Sequence, residues 1–403
     1  MVRQNHLKQK KRLPRIIRLL RRMRPASMPA TFRHNRVVLC PDGPGFFRSL
    51  FAAIRSAERF ILIEYYLIRN DLIGSALADE LAAAVKRGVR VLLIYDYIGS
   101  VETPASYFKN LSQRGIELIS FNMPSFRRGV GWFDKRDHRK MTVIDGTLAF
   151  LGGFNIGDEY AGIVAQPLRF RDVGFSISGS AVGELVRIFR ETWQMERREV
   201  PDLPEQPLSE RDETRTFRRR GQSNVNIVSG GPHHRSSYIR NAFLVSIASA
   251  SEEIIIATPY FVPGPRLIRS LLRAARRGVL VRLLLPARSD VPLVRILGRS
   301  FYGPLLKEGI EIRELEREIL HSKVMLIDGE RTVIGSANFD QRSFHRNFEI
   351  NGIIDSSAFG GQIRGMLLED FRGSRVITLA DHERRGFVTR FMERVIKLFS
   401  WFM

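Results

Sequence analysis

The sequence predicts an α/β protein built as two tandem sandwich domains, related by a pseudo-twofold axis, with one site between them. Three observations carry this. "FRSLFAAIRSAERFILIEYYLI" (47–68) and "DELAAAVKRGVRVLLIYD" (79–96) are each a helical pattern passing into an apolar, β-rich run. The same order returns in "IRNAFLVSIASASEEIIIATPYF" (239–261) and "LIRSLLRAARRGVLVRLLLPA" (267–287), with Gly88 and Gly278 at matching helix ends. Short strand signals follow at matching places, "QRGIELIS" (113–120) and "KEGIEIRE" (307–314). Such alternation is the pattern of layered α/β folds.

Each half then carries a His-x-Lys segment, "HRKMTVIDG" at 138–146 and "HSKVMLIDG" at 321–329. In both, a strand is expected to run into an Asp-Gly turn and to return through "TLAFLGG" or "RTVIGSAN". Residues two apart on a strand share a face, so His138 with Lys140, and His321 with Lys323, are placed to meet one ligand.

The division of the chain follows from composition. Residues 31–200 and 223–380 are the two domains, and the charged, Pro-containing stretch 201–222 joins them. Residues 1–30 are basic, with Leu13, Ile16, Ile17 and Leu20 at helical spacing, and residues 381–403 alternate apolar and basic positions up to Trp401 and Phe402. Both ends fit helices lying in a membrane interface, with cations over anionic headgroups.

The 403 residues carry a net charge of +22, which points to polyanionic partners: an anionic membrane, a phosphate-bearing substrate or nucleic acid. A single cysteine, Cys40, excludes an intrachain disulfide and cysteine-rich zinc sites. No run reaches the ~20 apolar residues of a membrane span, and no signal-peptide core follows the basic start. A cytoplasmic setting is therefore expected.

Imidazole can be nucleophile, base or acid near neutrality, and a neighbouring Lys supplies a fixed cation for phosphoryl oxygens. Asn155 and Asn338 add amide donors. One copy is half a site, and two copies across the axis surround one phosphate. Lys provides the positive charge, so no metal or other cofactor is expected, and no metal-ligand cluster is visible. The adjacent pair His233 and His234 has no further ligand nearby and is expected to be loop.

The segments 138–155 and 321–338 both fit H-x-K-x4-D-x6-G-[SG]-x-N, and thereby resemble the phospholipase D superfamily. "TPYFVP", "RRGVLVRLLLP", "SANFDQRSFHRNFEI" and "RDVGFSISG" are similar to bacterial cardiolipin synthases, in their shorter B-type branch without transmembrane segments. The resemblance implies two phospholipase D-like domains sharing an active site. It implies the candidate catalytic set His138, Lys140, Asp145, His321, Lys323 and Asp328, with His138 as nucleophile and His321 as general acid/base. Within that set Asp145 and Asp328 are expected to hold their loops rather than touch substrate. Asn155, Asn338 and Ser336 would bind phosphate, and a downstream acid would orient each His: Asp172 in the first half, Glu349 in the second. Gly153 stands where the second motif has Ser336, so the first half is expected to make fewer phosphate contacts. Asp340 and Arg342 are expected to pair near the site.

The implied activity is cardiolipin synthesis. A phosphatidyl group passes from a phospholipid donor to phosphatidylglycerol through a phosphohistidine, at the cytoplasmic face of the inner membrane. The alternatives are hydrolysis of phospholipid or, with less support, of nucleic acid, for which no basic, aromatic-rich strand face is visible. A non-catalytic membrane-binding protein is opposed by the intact His, Lys and Asn of both motifs.

Overall fold

The computed structural model describes residues 30–124, 134–165, 169–203, 223–232 and 237–386, together with Met392. Most of the segments expected at 1–30 and 381–403 and of the joining stretch 201–222, together with the pair His233–His234, lie outside these residues.

In the first half the strands are β1 (Thr31–Cys40), β2 (Phe60–Tyr65), β3 (Arg90–Asp96), β4 (Glu117–Phe121) and β5 (Arg136–Asp137). They continue with β6 (Lys140–Ile144), β7 (Leu148–Gly152), β8 (Phe170–Arg171) and β9 (Gly174–Ser178). The second half begins with β10 (Ser223–Gly230), β11 (Glu253–Ala257), β12 (Phe261–Val262), β13 (Leu280–Pro286), β14 (Glu311–Leu315) and β15 (Ile319–Leu320). It closes with β16 (Val324–Ile327), β17 (Arg331–Gly335), β18 (Phe339–Asp340), β19 (Asn347–Asp355) and β20 (Ser374–Ile377).

Among these residues one sheet runs β20-β14-β13-β11-β16-β17-β19-β10-β1-β9-β7-β6-β2-β3-β4, with β5 joined to β19. Read outward from β1 and β10, the two sides mirror each other. β1 and β10 pair antiparallel, Phe32 opposite Val225, and β1 then turns to β9, Val37 opposite Ile177. An antiparallel central pair is what a twofold relation between the halves requires. The two α/β domains that the sequence indicated are thus joined edge to edge through one sheet.

Apolar side chains line both faces of that sheet. In β2 all six positions of "FILIEY" are buried, with Phe60 and Leu62 on one face and Ile61, Ile63 and Tyr65 on the other. The first face forms a core common to both halves, covered by the helices Ala181–Arg197 and Ser357–Arg372. On the second face each half keeps its own core. The helices Gly43–Arg55 and Leu72–Lys86 cover one, and Tyr238–Ser249 and Gly264–Arg276 cover the other.

Both Asp-Gly turns have positive φ at both residues, 52° and 69° at Asp145–Gly146 and 51° and 67° at Asp328–Gly329. That is the backbone a two-residue hairpin with right-handed twist demands. Both carboxylates point away from the motif. Asp145 accepts from the N–H groups of Glu58, Arg59 and Phe60 at 2.7–3.0 Å. Asp328 accepts from those of Ser251, Glu252 and Glu253 at 2.8–2.9 Å. Each Asp tethers the chain just before the neighbouring strand, β2 or β11. Strand β6 separates Asp145 from Lys140 by five residues, roughly 16 Å. Asp145 and Asp328 therefore leave the candidate catalytic set and act as loop anchors.

Candidate active site

His138 and His321 stand just before β6 and β16, not within them. Extended backbone at these strand starts is set by two short ladders that cross between the halves. β5 pairs with β19, Asp137 opposite Phe348, and the His138 N–H donates to Phe348 O at 2.9 Å. β8 pairs with β15, Arg171 opposite Leu320, and the His321 N–H donates to Arg171 O at 2.8 Å. Each half thus hands its histidine to the other.

The acids follow the same exchange. His138 Nδ1 lies 3.0 Å from both carboxylate oxygens of Glu349, and His321 Nδ1 lies 2.5 Å from Asp172 Oδ2. This corrects the pairing inferred within each half: Glu349 orients the first histidine and Asp172 the second. Lys323 Nζ also stands 2.8 Å from His321 Nδ1. With Nδ1 engaged by the carboxylate in each dyad, Nε2 is left as the nitrogen that can attack or carry a proton. Both rings are nearly enclosed, with side chains 12% and 6% exposed. Burial lowers the His138 pKa to about 4 against the opposing pull of Glu349, and it lowers that of His321 in the same way. Both imidazoles are therefore neutral at pH 7 in the free site. Burial pushes the Glu349 carboxyl up, but His138, Lys140 and the Ser336 hydroxyl outweigh it and hold it below the usual range.

The Ser-for-Gly difference between the motifs belongs to these acids. Ser336 Oγ donates to Glu349 Oε2 at 2.6 Å and accepts from the Ile350 N–H at 2.9 Å. It is fully buried and committed to Glu349, which corrects its placement among the phosphate contacts. At Gly153 a Cβ would stand 2.2 Å from Asp172 Oδ1. The shorter Asp reaches its histidine only because no side chain occupies position 153. Gly153 is the counterpart of the Ser336 support, not a lost phosphate ligand.

Lys140 Nζ donates to His138 O at 2.7 Å, and Lys323 Nζ to His321 O at 2.5 Å. Burial lowers their pKa values to about 7 and about 8. Glu349 and Asp172 both act on Lys140 electrostatically, and Lys323 acts on His138, so the charges of both halves share one space. Asn155 and Asn338 are buried, and among the described residues no donor reaches the Oδ1 atom of either. Asn155 Nδ2 donates to the Tyr160 hydroxyl at 2.8 Å. Turning that amide over keeps the bond with roles exchanged and presents Nδ2–H where the unpaired oxygen stands. A phosphoryl oxygen is the partner such a donor suits.

The geometry can be set beside known proteins. A family model described as "Cardiolipin synthase, PLD-like domain" matches residues 50–193 and 243–370. A cardiolipin synthase of Geobacillus kaustophilus is 37% identical over 372 residues, covering 91% of this chain and 72% of that protein. Cardiolipin synthase A of Pseudomonas putida is 35% identical over 372 residues, covering 91% and 75%. The chain belongs to the cardiolipin synthases. It is an enzyme of the phosphatidyltransferase class. The crystal structure of a phosphatidylserine synthase from Haemophilus influenzae shares the fold, with a TM-score of 0.67 at 14% identity over 91% of this chain and 92% of that one.

Several residues of this cardiolipin synthase family site escaped the motif reading. Tyr66 packs edge-on to His138 at 5.0 Å and lies under Lys140 Nζ at 5.2 Å. Tyr160 and Phe170 enclose the His321 ring at 5.2 and 5.3 Å. Tyr260, which the sequence offered either as pocket lining or as core, is half-buried, and its hydroxyl donates to Asp290 at 2.6 Å. Behind His138, buried Arg139 donates to Glu64 at 3.1 Å and to Thr192 at 2.7 Å, and its guanidinium stands over the Phe348 ring at 5.4 Å. Glu64 and Asp137 are both fully buried in this cluster, and burial raises both carboxyls, each of which also feels the other. The second half has Ala257, Leu320 and Ser322 at the corresponding places. A glutamate inside the apolar run "FILIEY" was the available signal. Asp340 and Arg342 do not pair: Asp340 caps the helix Gln341–His345 through the Ser343 N–H at 2.7 Å, and Arg342 faces Asp134 at 3.7 Å. Among the described residues no cluster of His, Cys, Asp and Glu has the form of a metal site.

Proposed function

We propose that the protein makes cardiolipin by transferring a phosphatidyl group from a phospholipid donor to phosphatidylglycerol through a phosphohistidine. The observation that carries this is the pair of crossed histidine–carboxylate dyads, each engaged through Nδ1 so that Nε2 is left free, with a buried lysine bonded to each histidine's carbonyl. The substrate phosphodiester sits between Lys140 and Lys323, and its negative charge raises the proton affinity of the buried groups around it. Neutral His138 attacks phosphorus through Nε2 while His321, protonated at Nε2, gives its proton to the departing alcohol oxygen. The P–O bond breaks and a P–N bond forms. His321 then takes the proton of the glycerol hydroxyl of phosphatidylglycerol, whose oxygen attacks phosphorus and releases His138. Lys140, Lys323, Asn155 and Asn338 stabilise the phosphoryl oxygens throughout.

The neutral His138 supports the nucleophile's role, because an imidazolium cannot attack. A peripheral position at the cytoplasmic face of an anionic membrane fits a net charge of +22, and among the described residues no helix is long and apolar enough to cross a membrane. The test is lipid product analysis with purified protein on phosphatidylglycerol vesicles in the presence of EDTA. Cardiolipin is expected from the wild type and none from His138→Ala. Phosphatidic acid as the sole product would replace transfer by hydrolysis.

A further inference from the structure

Six large apolar side chains stand in water at one end of the sheet. Leu72 follows β2, Val101 follows β3, Met123 follows β4, Ile163 follows β7, and Val291 and Leu293 follow β13. Their exposure runs from 39% at Val291 to 66% at Leu72, high for side chains of this size. Register shows that this end is the active-site end. The last residue of β2, Tyr65, lies opposite Lys140, and the last of β11, Ala257, lies opposite Val324, next to Lys323. β3 and β13 run parallel to β2 and β11, and β4 to β3, so the loops that follow all emerge on that side. β7 returns to it antiparallel to β6.

Contacts confirm the placement. The loop of Val101 leads from Asp96, whose carboxylate accepts from the Asp137 N–H next to His138. Ile163 follows Tyr160, whose ring packs on His321, and Val291 follows Asp290, which holds Tyr260. The opposite end of the sheet is closed by tight turns at Gly88, Asp145–Gly146, Gly278 and Asp328–Gly329. Leu280, the first residue of β13, stands exposed at that end, and the further exposed apolar side chains Val38, Met195, Val200 and Val376 lie singly on β1, on and after the helix Ala181–Arg197, and on β20. Six exposed apolar side chains on the loops of the one sheet end that carries the active site point to that end as an interaction surface. Exposed Arg266 and Arg288 stand on the same side as exposed Glu102 and Asp290, so these loops carry both signs, and the net charge of +22 supplies the excess of cations that suits an anionic lipid interface.

We propose that the active-site end of the sheet is a membrane-docking face, which seats against an anionic phospholipid surface with Leu72, Val101, Met123, Ile163, Val291 and Leu293 in the interface. The proposal rests on phosphatidyl transfer as the reaction and names how its substrate arrives. A phospholipid then reaches His138 and His321 headgroup first, its acyl chains still in the bilayer.

Cys40, the single cysteine of the chain, is buried, so an introduced cysteine can be labelled selectively. Leu72→Cys, Ile163→Cys, Leu293→Cys and, as the distal control, Leu280→Cys would carry an environment-sensitive fluorophore. Vesicles of phosphatidylglycerol are the probe. The expected result is a blue shift and quenching by a bilayer-embedded quencher at the first three positions, and neither at Leu280. Replacing Leu293 and Ile163 by Asp should each weaken vesicle partitioning about 10- to 100-fold in a sedimentation assay. The proposal is overturned by protein that sediments with vesicles while the three labels stay in water, by a signal at Leu280 equal to theirs, or by no sedimentation at all. Cardiolipin formation from phosphatidylglycerol in detergent micelles, measured in parallel, reports on the reaction separately. Its failure would remove the transfer reading, whatever the labels show.

Discussion

Gly153→Ala tests the site through one methyl group. The added Cβ would stand 2.2 Å from Asp172 Oδ1 and 2.5 Å from Oδ2, where real Cβ contacts keep at least 3.0 Å. The carboxylate must therefore retreat by about 0.8 Å, and the 2.5 Å bond to His321 Nδ1 lengthens or breaks. A misplacement of about 1 Å at a catalytic group costs roughly 100-fold in rate. The backbone is not the obstacle, since Gly153 lies outside the positive-φ region. An activated diester, bis(p-nitrophenyl) phosphate, separates the steps because p-nitrophenolate leaves without a proton. Attack by His138 then needs no help from His321, whereas resolution of the phosphohistidine does. The variant should keep the initial burst of p-nitrophenolate and lose roughly 100-fold in the steady rate. Gly153→Ala/Asp172→Ala should be no slower than Asp172→Ala alone, because both changes act through one carboxylate. An unchanged steady rate, additive losses in the cycle, or a burst lost together with the steady rate would refute the reasoning.

Three further outcomes are expected. Lys140 and Lys323 are charged only below pKa values of about 7 and about 8, so kcat/KM for a phosphodiester should fall as pH rises from 7 to 9. It should fall again only near pH 4, where His138 becomes protonated, and a profile flat between pH 6 and 9 would contradict this. Ser336→Ala removes the hydroxyl that fixes Glu349 and should lower turnover about 10- to 100-fold, the usual loss when an outer support of a reactive histidine goes, with substrate affinity little changed. Asp328→Ala deletes an anchor of β11 and should destabilise the fold by about 1–3 kcal/mol, read as a lower melting temperature, while turnover at a permissive temperature stays near wild type. A loss of turnover without a loss of stability would return Asp328 to the catalytic set.

Much of this was legible because it is local. The strand-turn-strand units from Lys140 to Gly152 and from Val324 to Gly335 follow from β-branched runs and an Asp-Gly pair that accepts positive φ. Gly88 and Gly278 just past their helices were equally plain, since a left-handed residue there favours glycine. Glu64, Asp137 and Arg139 were not legible as a cluster. Their meeting depends on β2 lying beside β6 and on the helix that carries Thr192 crossing the same face.

The sequence by itself determined the duplication, the two His-Lys-Asn sets and the Asp-Gly turns, because these are written within short stretches of chain, whereas the strands that each turn's Asp anchors lie 75 to 87 residues away. Only the tertiary structure decided which acid serves which histidine. Asp172 and Glu349 follow their own motifs at similar distances along the chain, so spacing favours pairing within each half. The crossed ladders of β5 with β19 and β8 with β15 reverse that choice. They place each histidine against the opposite half, where Ser336 leaves reach for a glutamate and Gly153 makes room for an aspartate. Chain connectivity carries no record of that exchange, and close packing across the twofold axis does.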